Sequence, residues 1–213
     1  MLNQYYTVKK EGSNQIVIQK SRFIGYVKRV ETEEEAQAFI QAIKKKHHDA
    51  THNCSAYMIG ENDQIQKAND DGEPSGTAGI PILEVLKKKQ LKDTAVVVTR
   101  YFGGIKLGAG GLIRAYSRAT SEALQMTGIV RRQLMKQIIV ESDYALLGKL
   151  ENELRSSSYI IDGMEYTDKV KLNIYVPKDE EETALNWLIN LTSNQITITH
   201  GQMKYIEEDV TPQ

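Results

Sequence analysis

The order of strand-like and helix-like segments in the second half of the chain restricts its fold more than any other feature. Four runs rich in β-branched and aromatic residues predict strands, at Lys136–Ser142, Tyr159–Tyr166, Lys169–Val176 and Gln195–Ile206. Leucines at helical spacing predict a helix over Tyr144–Ser156, and a capping pattern at Asp179 predicts the start of a second helix. The resulting order β-α-β-β-α-β is that of the ferredoxin-like fold.

The first half mixes strands and helices less regularly. The turn residues Gly12-Ser13-Asn14 predict a hairpin between strands at Tyr5–Lys10 and Gln15–Gln19. Thr32 and Glu35 form a capping box at the start of a helix over residues 33–46. A length of 213 residues suits two domains. We therefore predict an α+β protein with domains at residues 1–130 and 131–213.

Composition limits where such a protein works. A single cysteine excludes an internal disulfide framework, and no apolar run approaches the roughly 20 residues needed to cross a bilayer. The first residues show no apolar segment of the kind found in secretory signals. These features predict a cytoplasmic protein with no membrane partner.

Charge is divided unevenly between the two halves. Residues 1–132 hold 20 Lys and Arg against 14 Asp and Glu, a balance of +6, and residues 133–213 hold 7 against 14, a balance of −7. This division suggests two surfaces with different partners, although the halves could equally attract each other. The acidic half suits a protein partner or self-association better than a nucleic acid.

An acidic loop at residues 70–79 concentrates polar side chains. Its candidate residues are Asp70, Asp71, Glu73, Ser75 and Thr77. Such a loop can hold a hard cation through oxygen ligands, present backbone N–H groups to an anion, or be an ordinary tight loop. Because the ligand spacing of a calcium loop is missing, we predict no metal and no cofactor.

A glycine-rich segment at residues 100–111 lies between a predicted buried strand and a helix predicted from Leu112. Exposed backbone donors at the start of a helix favour anions, so this segment predicts a phosphate or nucleic-acid contact. The candidate residues are Arg100, Gly103, Gly104, Lys106, Gly108, Gly110, Gly111, Arg114 and Arg118. The spacing matches neither a P-loop nor a dinucleotide fingerprint. Alternatively, the glycines permit a sharp turn and the acidic loop neutralises the arginines.

His52 and Cys54 are two apart on a predicted strand, so both side chains lie on one face. A Cys–His pair can generate a thiolate nucleophile, whereas a lone cysteine among apolar residues is more often part of the core. Four aromatic residues could stack on bases or belong to the core: Tyr57, Tyr101, Phe102 and Tyr116.

The strings KSRFIG, DDGEPSGTAG and VVVTRYFGGIKLGAGGLIRAYS resemble the signature of the YigZ/IMPACT family, and the resemblance extends over nearly the whole chain. It implies an N-terminal domain with the left-handed βαβ fold of a ribosomal protein and elongation factor G, and a ferredoxin-like C-terminal domain. Eukaryotic relatives regulate translation through a partner of the amino-acid-starvation kinase, mainly by an additional N-terminal domain that this sequence lacks. The family has no settled catalytic activity, so the resemblance implies no catalytic residues.

These observations favour an RNA- or ribosome-associated regulatory protein that binds phosphate groups through the glycine-rich segment. One alternative is a hydrolase or phosphotransfer enzyme acting on a small phosphorylated ligand, with Asp70, Asp71 and Glu73, alone or with Mg²⁺, as its chemical groups, and His52 and Cys54 as further candidates. The other alternative is a protein-interaction module without catalysis.

Overall fold

The computed structural model describes residues 1–210, and the last three residues of the predicted second domain lie outside the described residues. The chain forms two compact units. The N-terminal unit contains Tyr5–Arg131 together with the segment from Glu208 onward, and the C-terminal unit contains Arg132–Glu207 together with Met1–Gln4. The domain division at residues 130 and 131 stays a prediction.

The first nine elements lead from the amino terminus through the N-terminal unit. They are β1 (Gln4–Val8), β2 (Gly12–Ile18), β3 (Ser21–Arg29), α1 (Glu33–Lys46), β4 (His52–Ile59), β5 (Ile65–Asn69), α2 (Gly79–Lys88), β6 (Thr94–Tyr101) and α3 (Gly108–Thr127). Five of the strands form an antiparallel sheet in the order β2-β3-β6-β4-β5. The central strands β6 and β4 are buried along nearly their whole length.

Apolar cores cover both faces of this sheet. On one face Phe23 and Val98 pack with residues of α2 and α3, among them Tyr116. On the other face Val97 packs with residues of α1, such as Phe39. A strand buried on both faces carries apolar residues without alternation, which explains the uninterrupted Ala-Val-Val-Val run of β6.

The C-terminal unit is built from the remaining elements. They are β7 (Ile129–Ser142), α4 (Tyr144–Arg155), β8 (Ile160–Tyr166), β9 (Val170–Pro177), α5 (Glu181–Leu191) and β10 (Ile196–Val210). The strands of this unit lie in the order β10-β7-β9-β8. Leu150 of α4 and Leu188 of α5 pack in one core with Ile138 and Ile174 of the sheet. The predicted ferredoxin-like arrangement and the two-domain α+β class are confirmed.

The predicted hairpin between the first two strands is wrong. Strand β2 instead pairs with β3 through a two-residue turn at Gln19 and Lys20, both of which have positive φ, 43° and 66°. Such turns match the twist of the flanking strands, which explains the pairing. The residues Gly12-Ser13-Asn14 begin strand β2 and do not form a turn.

The start of α3 also differs from the prediction. The helix begins at Gly108, so the last glycines of the glycine-rich segment are its first turn. The sequence predicted a loop there because glycine has a low helix propensity. At α1, by contrast, the Thr32 half of the predicted capping box forms, because the Glu35 backbone N–H donates to Thr32 Oγ1 at 3.2 Å. The Glu35 carboxylate accepts the backbone N–H of Glu31, one residue before the cap, at 2.8 Å.

Candidate functional site

Four segments that are far apart in the sequence meet at one end of the N-terminal sheet. The turn between β2 and β3 lies there, as do the start of β4 and the ends of β5 and β6. The register places Arg22 of β3 opposite Tyr101 of β6, and His52 of β4 opposite Arg100 of β6. The acidic loop after β5 and the glycine-rich segment after β6 therefore lie at the same end of the sheet.

A buried carboxylate, Glu73, connects these segments. Its Oε1 accepts a hydrogen bond from Arg100 Nη1 at 2.6 Å and another from Tyr116 Oη at 2.8 Å. The side chains of Glu73 and Arg100 are only 3% and 6% exposed. Two charges so far from water stabilise the fold only while they are paired. The pair therefore fixes the acidic loop against the end of β6 and the middle of α3.

Arg100 was predicted to contact phosphate, but its side chain is buried, so a phosphate in solvent cannot reach it. Its Nη2 donates to Ser21 Oγ at 3.4 Å, and its Nε has no hydrogen-bond partner within the described chain. The guanidinium carbon lies 5.4 Å from the ring centroids of both Phe23 and Phe102. Arg100 therefore supports the site from beneath, and we leave it out of the surface that could bind a ligand.

Asp70 holds the acidic loop against the start of α2. Its two carboxylate oxygens accept hydrogen bonds from the backbone N–H groups of Gly76, Ala78 and Gly79, at 2.8, 3.0 and 2.8 Å. Burial acts to raise the pKa of Asp70, but the three backbone donors outweigh it, and the pKa lies below its usual value. Asp70 therefore has a structural role, because it holds the backbone N–H groups at the start of α2.

Asp71 binds residues of α1 and β4. Its carboxylate pairs with Lys44 of α1 at 2.6 Å and accepts the backbone N–H of Asn53 at 2.7 Å. Its carbonyl oxygen lies 2.9 Å from His52 Nδ1, and a carbonyl can only accept, so Nδ1 carries the proton. His52 Nε2 then faces Glu73 Oε2 at 3.8 Å, beyond hydrogen-bond distance.

Cys54 is fully buried and belongs to the core. Its Sγ lies 3.0 Å from the Asp70 carbonyl oxygen and 3.3 Å from Tyr116 Oη. Burial raises the pKa of this thiol far above its usual value, and the nearby carboxylate charge of Glu73 adds to the effect. A neutral, inaccessible thiol is not a nucleophile.

The remaining residues of the acidic loop have separate positions. Ser75 is exposed at the tip, whereas Thr77 is buried and its hydroxyl donates to the Pro74 carbonyl at 2.6 Å. Because Asp70, Asp71 and Glu73 each bind a different partner, they do not converge on one point. Within residues 1–210 no group of three or more His, Cys, Asp or Glu side chains is placed to hold a metal ion.

The glycines of the glycine-rich segment serve two geometric needs. Gly103 passes so close to the β2–β3 turn that a Cβ atom would lie 2.1 Å from the backbone of Lys20. Gly104 and Gly108 have φ of 85° and 70°, a region that favours glycine. The first turn of α3 contains Gly110 and Gly111 and has no acidic residue and no side-chain cap. It therefore presents bare backbone at the positive end of the helix dipole.

Three predicted cations of the segment differ in their partners. Lys106 and Arg114 are exposed, and in the described part of the chain neither forms an ion pair with a carboxylate. Arg118 is exposed too, but it pairs with Glu122 one turn further along α3, at 2.7 Å. Lys106 and Arg114 are thus the cations left for a ligand.

Comparison with known proteins identifies a domain family in each half of the chain. Residues 19–124 match the Impact N-terminal domain, and residues 140–195 match a domain of unknown function (DUF1949). The chain is 57% identical over 210 residues to the IMPACT family member YvyE of Bacillus subtilis. The aligned region covers 99% of this chain and 97% of YvyE. The chain belongs to the IMPACT family.

Two further relatives of this IMPACT family protein are informative. YigZ of Escherichia coli is 36% identical over 151 residues, covering 67% of this chain and 74% of YigZ. A crystal structure described only as that of a hypothetical protein is 28% identical with a TM-score of 0.60, covering 95% and 99% of the two chains. In residues 1–210 no helix is long and apolar enough to span a membrane.

Sequence reasoning missed several residues of this IMPACT family site. Tyr116 hydrogen-bonds to Glu73, although the sequence placed it only among the aromatic residues. Ser21 accepts the Gly103 backbone N–H at 3.1 Å, which gives the KSRFIG string a structural role. His47 is buried, and its two ring nitrogens lie 2.6 Å from Tyr26 Oη and 2.8 Å from Tyr101 Oη. No local signal reveals these long-range contacts.

Proposed function

We propose that this IMPACT family protein is an RNA- or ribosome-associated regulatory protein that binds phosphate groups at the glycine surface. The glycine surface comprises residues 102–114, the segment that follows β6 and the first turns of α3. The observation that supports the proposal most directly is the pair of exposed cations, Lys106 and Arg114, beside a helix start without acidic residues. Cations and bare backbone N–H groups together form an anion site.

The neighbouring carboxylates leave this positive charge in place. The alternative that the acidic loop neutralises the arginines applies to Arg100, which pairs with Glu73. Asp70 is occupied by backbone donors and Asp71 by Lys44. No residue of the acidic loop therefore offsets the charge of Lys106 or Arg114, and the surface can attract a polyanion.

The enzyme alternative has less support than the binding proposal. A hydrolase using Cys54 would need an accessible thiolate, and the thiol is buried with a raised pKa. A metal-dependent enzyme would need converging carboxylates, and those of the acidic loop bind separate partners. The interaction-module alternative keeps the acidic C-terminal half as a surface for a protein partner or self-association in the cytoplasm.

Binding of fluorescent single-stranded RNA over a salt series tests the proposal. We expect the affinity to fall steeply between about 50 and 200 mM salt, because phosphate contacts release counterions. The double variant Lys106→Gln/Arg114→Gln should reduce the salt slope by about 1.4, since each phosphate contact on a single strand contributes roughly 0.7.

A matched control changes the same amount of charge elsewhere. Lys88 and Lys89 are exposed at the far end of α2, away from the glycine surface. The variant Lys88→Gln/Lys89→Gln should keep the native salt slope. Equal losses in the two double variants would show that only net charge matters, and absence of RNA binding at low salt would refute the proposal.

A further inference from the structure

The glycine surface carries large apolar side chains beside its cations. Phe102 is 47% exposed, and Ile105 and Ile113 are 40% and 42% exposed. Lys106 and Arg114 lie in the same segment of chain. An exposed apolar group within a positive surface suits a partner that is both anionic and rich in flat apolar faces. Single-stranded nucleic acid has both properties, because its bases are unpaired.

Phe102 is the aromatic member of this group, and its position is fixed from two sides. Its backbone N–H donates to Thr51 Oγ1 at 3.0 Å, which holds the main chain in place. The guanidinium of Arg100 lies 5.4 Å from its ring centroid, and Arg100 is itself fixed by the buried bond to Glu73. The ring therefore has the buried guanidinium of Arg100 beside it, while nearly half of the residue remains exposed.

Among the aromatic residues considered in the sequence, Phe102 alone is suited to stacking. Tyr57 and Tyr116 are 2% and 0% exposed. Tyr101 is intermediate, and its hydroxyl is bound between His47 and Asp49 while Arg22 lies 4.2 Å from its ring centroid. A base arriving from solvent can reach Phe102 without displacing an existing contact.

We infer that Phe102 is a stacking platform for an unpaired RNA base, with the adjoining phosphates held by Lys106 and Arg114. The inference rests on the proposed phosphate-binding function and extends it, because it specifies single strands over duplexes. A duplex keeps its bases stacked on one another and offers the ring no free face. The phosphates supply affinity, and the ring supplies the preference for unpaired bases.

The test separates base stacking from phosphate binding by using two probes of equal charge. One is labelled oligouridine of about 12 nucleotides, and the other is an abasic ribose-phosphate oligomer of the same length. We expect the native protein to bind oligouridine about tenfold more tightly than the abasic oligomer, since stacking on one aromatic ring contributes about that factor. The variant Phe102→Ala should abolish this difference, and Phe102→Tyr should retain it.

Ile105→Ala is the matched control, since Ile105 is similarly exposed in the same segment but has no aromatic face. It should change the affinity for oligouridine by no more than about twofold. Phe102→Ala should leave the affinity for an RNA duplex unchanged, because paired bases offer the ring no free face.

The possible outcomes distinguish base stacking on Phe102 from the proposed phosphate binding. Equal affinity of the native protein for oligouridine and the abasic oligomer would overturn the stacking inference and leave phosphate binding intact. Equal weakening of both probes by Phe102→Ala would also overturn it. Binding of neither probe would refute both the inference and the proposed function.

Discussion

Replacing Glu73 by glutamine removes one charge from a buried ion pair while keeping the size of the side chain. The Glu73 and Arg100 side chains are 3% and 6% exposed, and their charged atoms are 2.6 Å apart. At an effective dielectric constant of about 20, Coulomb attraction at this distance amounts to roughly 6 kcal/mol. Lower desolvation cost and a surviving amide hydrogen bond offset part of the loss. We therefore expect Glu73→Gln to lower the free energy of unfolding of the N-terminal unit by about 3–5 kcal/mol.

Urea unfolding with two signals measures this loss and supplies its own control. The chain has one tryptophan, Trp187, which is partly buried against the core of the C-terminal unit, and its ring centroid lies 5.6 Å from that of Tyr159. Its fluorescence reports that unit, whereas far-UV circular dichroism reports both. The variant should shift the dichroism transition to lower urea and leave the Trp187 transition where it is.

The double variant Glu73→Met/Arg100→Met tests whether the loss comes from an unpaired buried charge. Replacing both charged side chains by apolar ones of similar size leaves neither uncompensated, so it should cost less than Glu73→Gln alone. A loss below about 1 kcal/mol in Glu73→Gln would refute the reasoning, because it would mean that Arg100 needs no buried counter-charge. A larger loss in the double variant than in Glu73→Gln would refute it as well.

Two further predictions concern backbone packing and pH. Gly103→Ala should cost about 3 kcal/mol in urea unfolding, because its Cβ would meet the Lys20 backbone at 2.1 Å. Gly76→Ala, where φ is 76° and space is open, should cost only about 1–2 kcal/mol, and equal losses would contradict the steric argument. Burial raises the pKa of the Cys54 thiol, so above about pH 8.5 the unfolded chain loses this proton first. Unfolding free energy should then fall by about 1.4 kcal/mol per pH unit up to about pH 10, and an unchanged slope in Cys54→Ala would contradict this.

The sequence was most informative where periodicity was regular. In the C-terminal unit, apolar residues at helical spacing such as Leu150 and Leu154 predicted α4, and all four strands were placed within a few residues of their true ends, except where β7 and β10 extend into the other unit. Each element there has one buried face, so its pattern repeats with a single period. The chain length and the element order predicted two domains, and the resemblance to the family implied the same organisation.

Strand pairing in the N-terminal unit was less accessible to sequence reasoning. The turn of the β2–β3 hairpin consists of Gln19 and Lys20, which lack the glycine or asparagine typical of such turns. Gly12, which suggested a turn, is instead in a strand, where an added Cβ would lie 3.0 Å from the Thr127 side chain. Glycine occurs both in turns and where backbones pack tightly, so local composition does not distinguish the two.

The candidate site was predicted as a region but not in its internal contacts. Both loops lie at one end of the sheet, and Lys106 and Arg114 are exposed as a binding role requires. The alternative that the acidic loop neutralises the arginines anticipated a partner for Arg100, but the sequence did not identify Glu73, because it is 27 residues away and the pairing depends on sheet register. The predicted phosphate-binding role of the glycine-rich segment stays a prediction.

The chain passes between its two units three times, after Gln4, after Arg131 and after Glu207. Leu2 accepts a hydrogen bond from Tyr205 Oη at 2.8 Å in the C-terminal unit, and Lys9 pairs with Asp209 at 2.7 Å in the N-terminal unit. A gene cut once between the halves would therefore deprive each expressed fragment of a short piece encoded at the opposite end. To produce either unit alone, its short piece must be fused to its main segment. A circularly permuted gene is a direct way to do so.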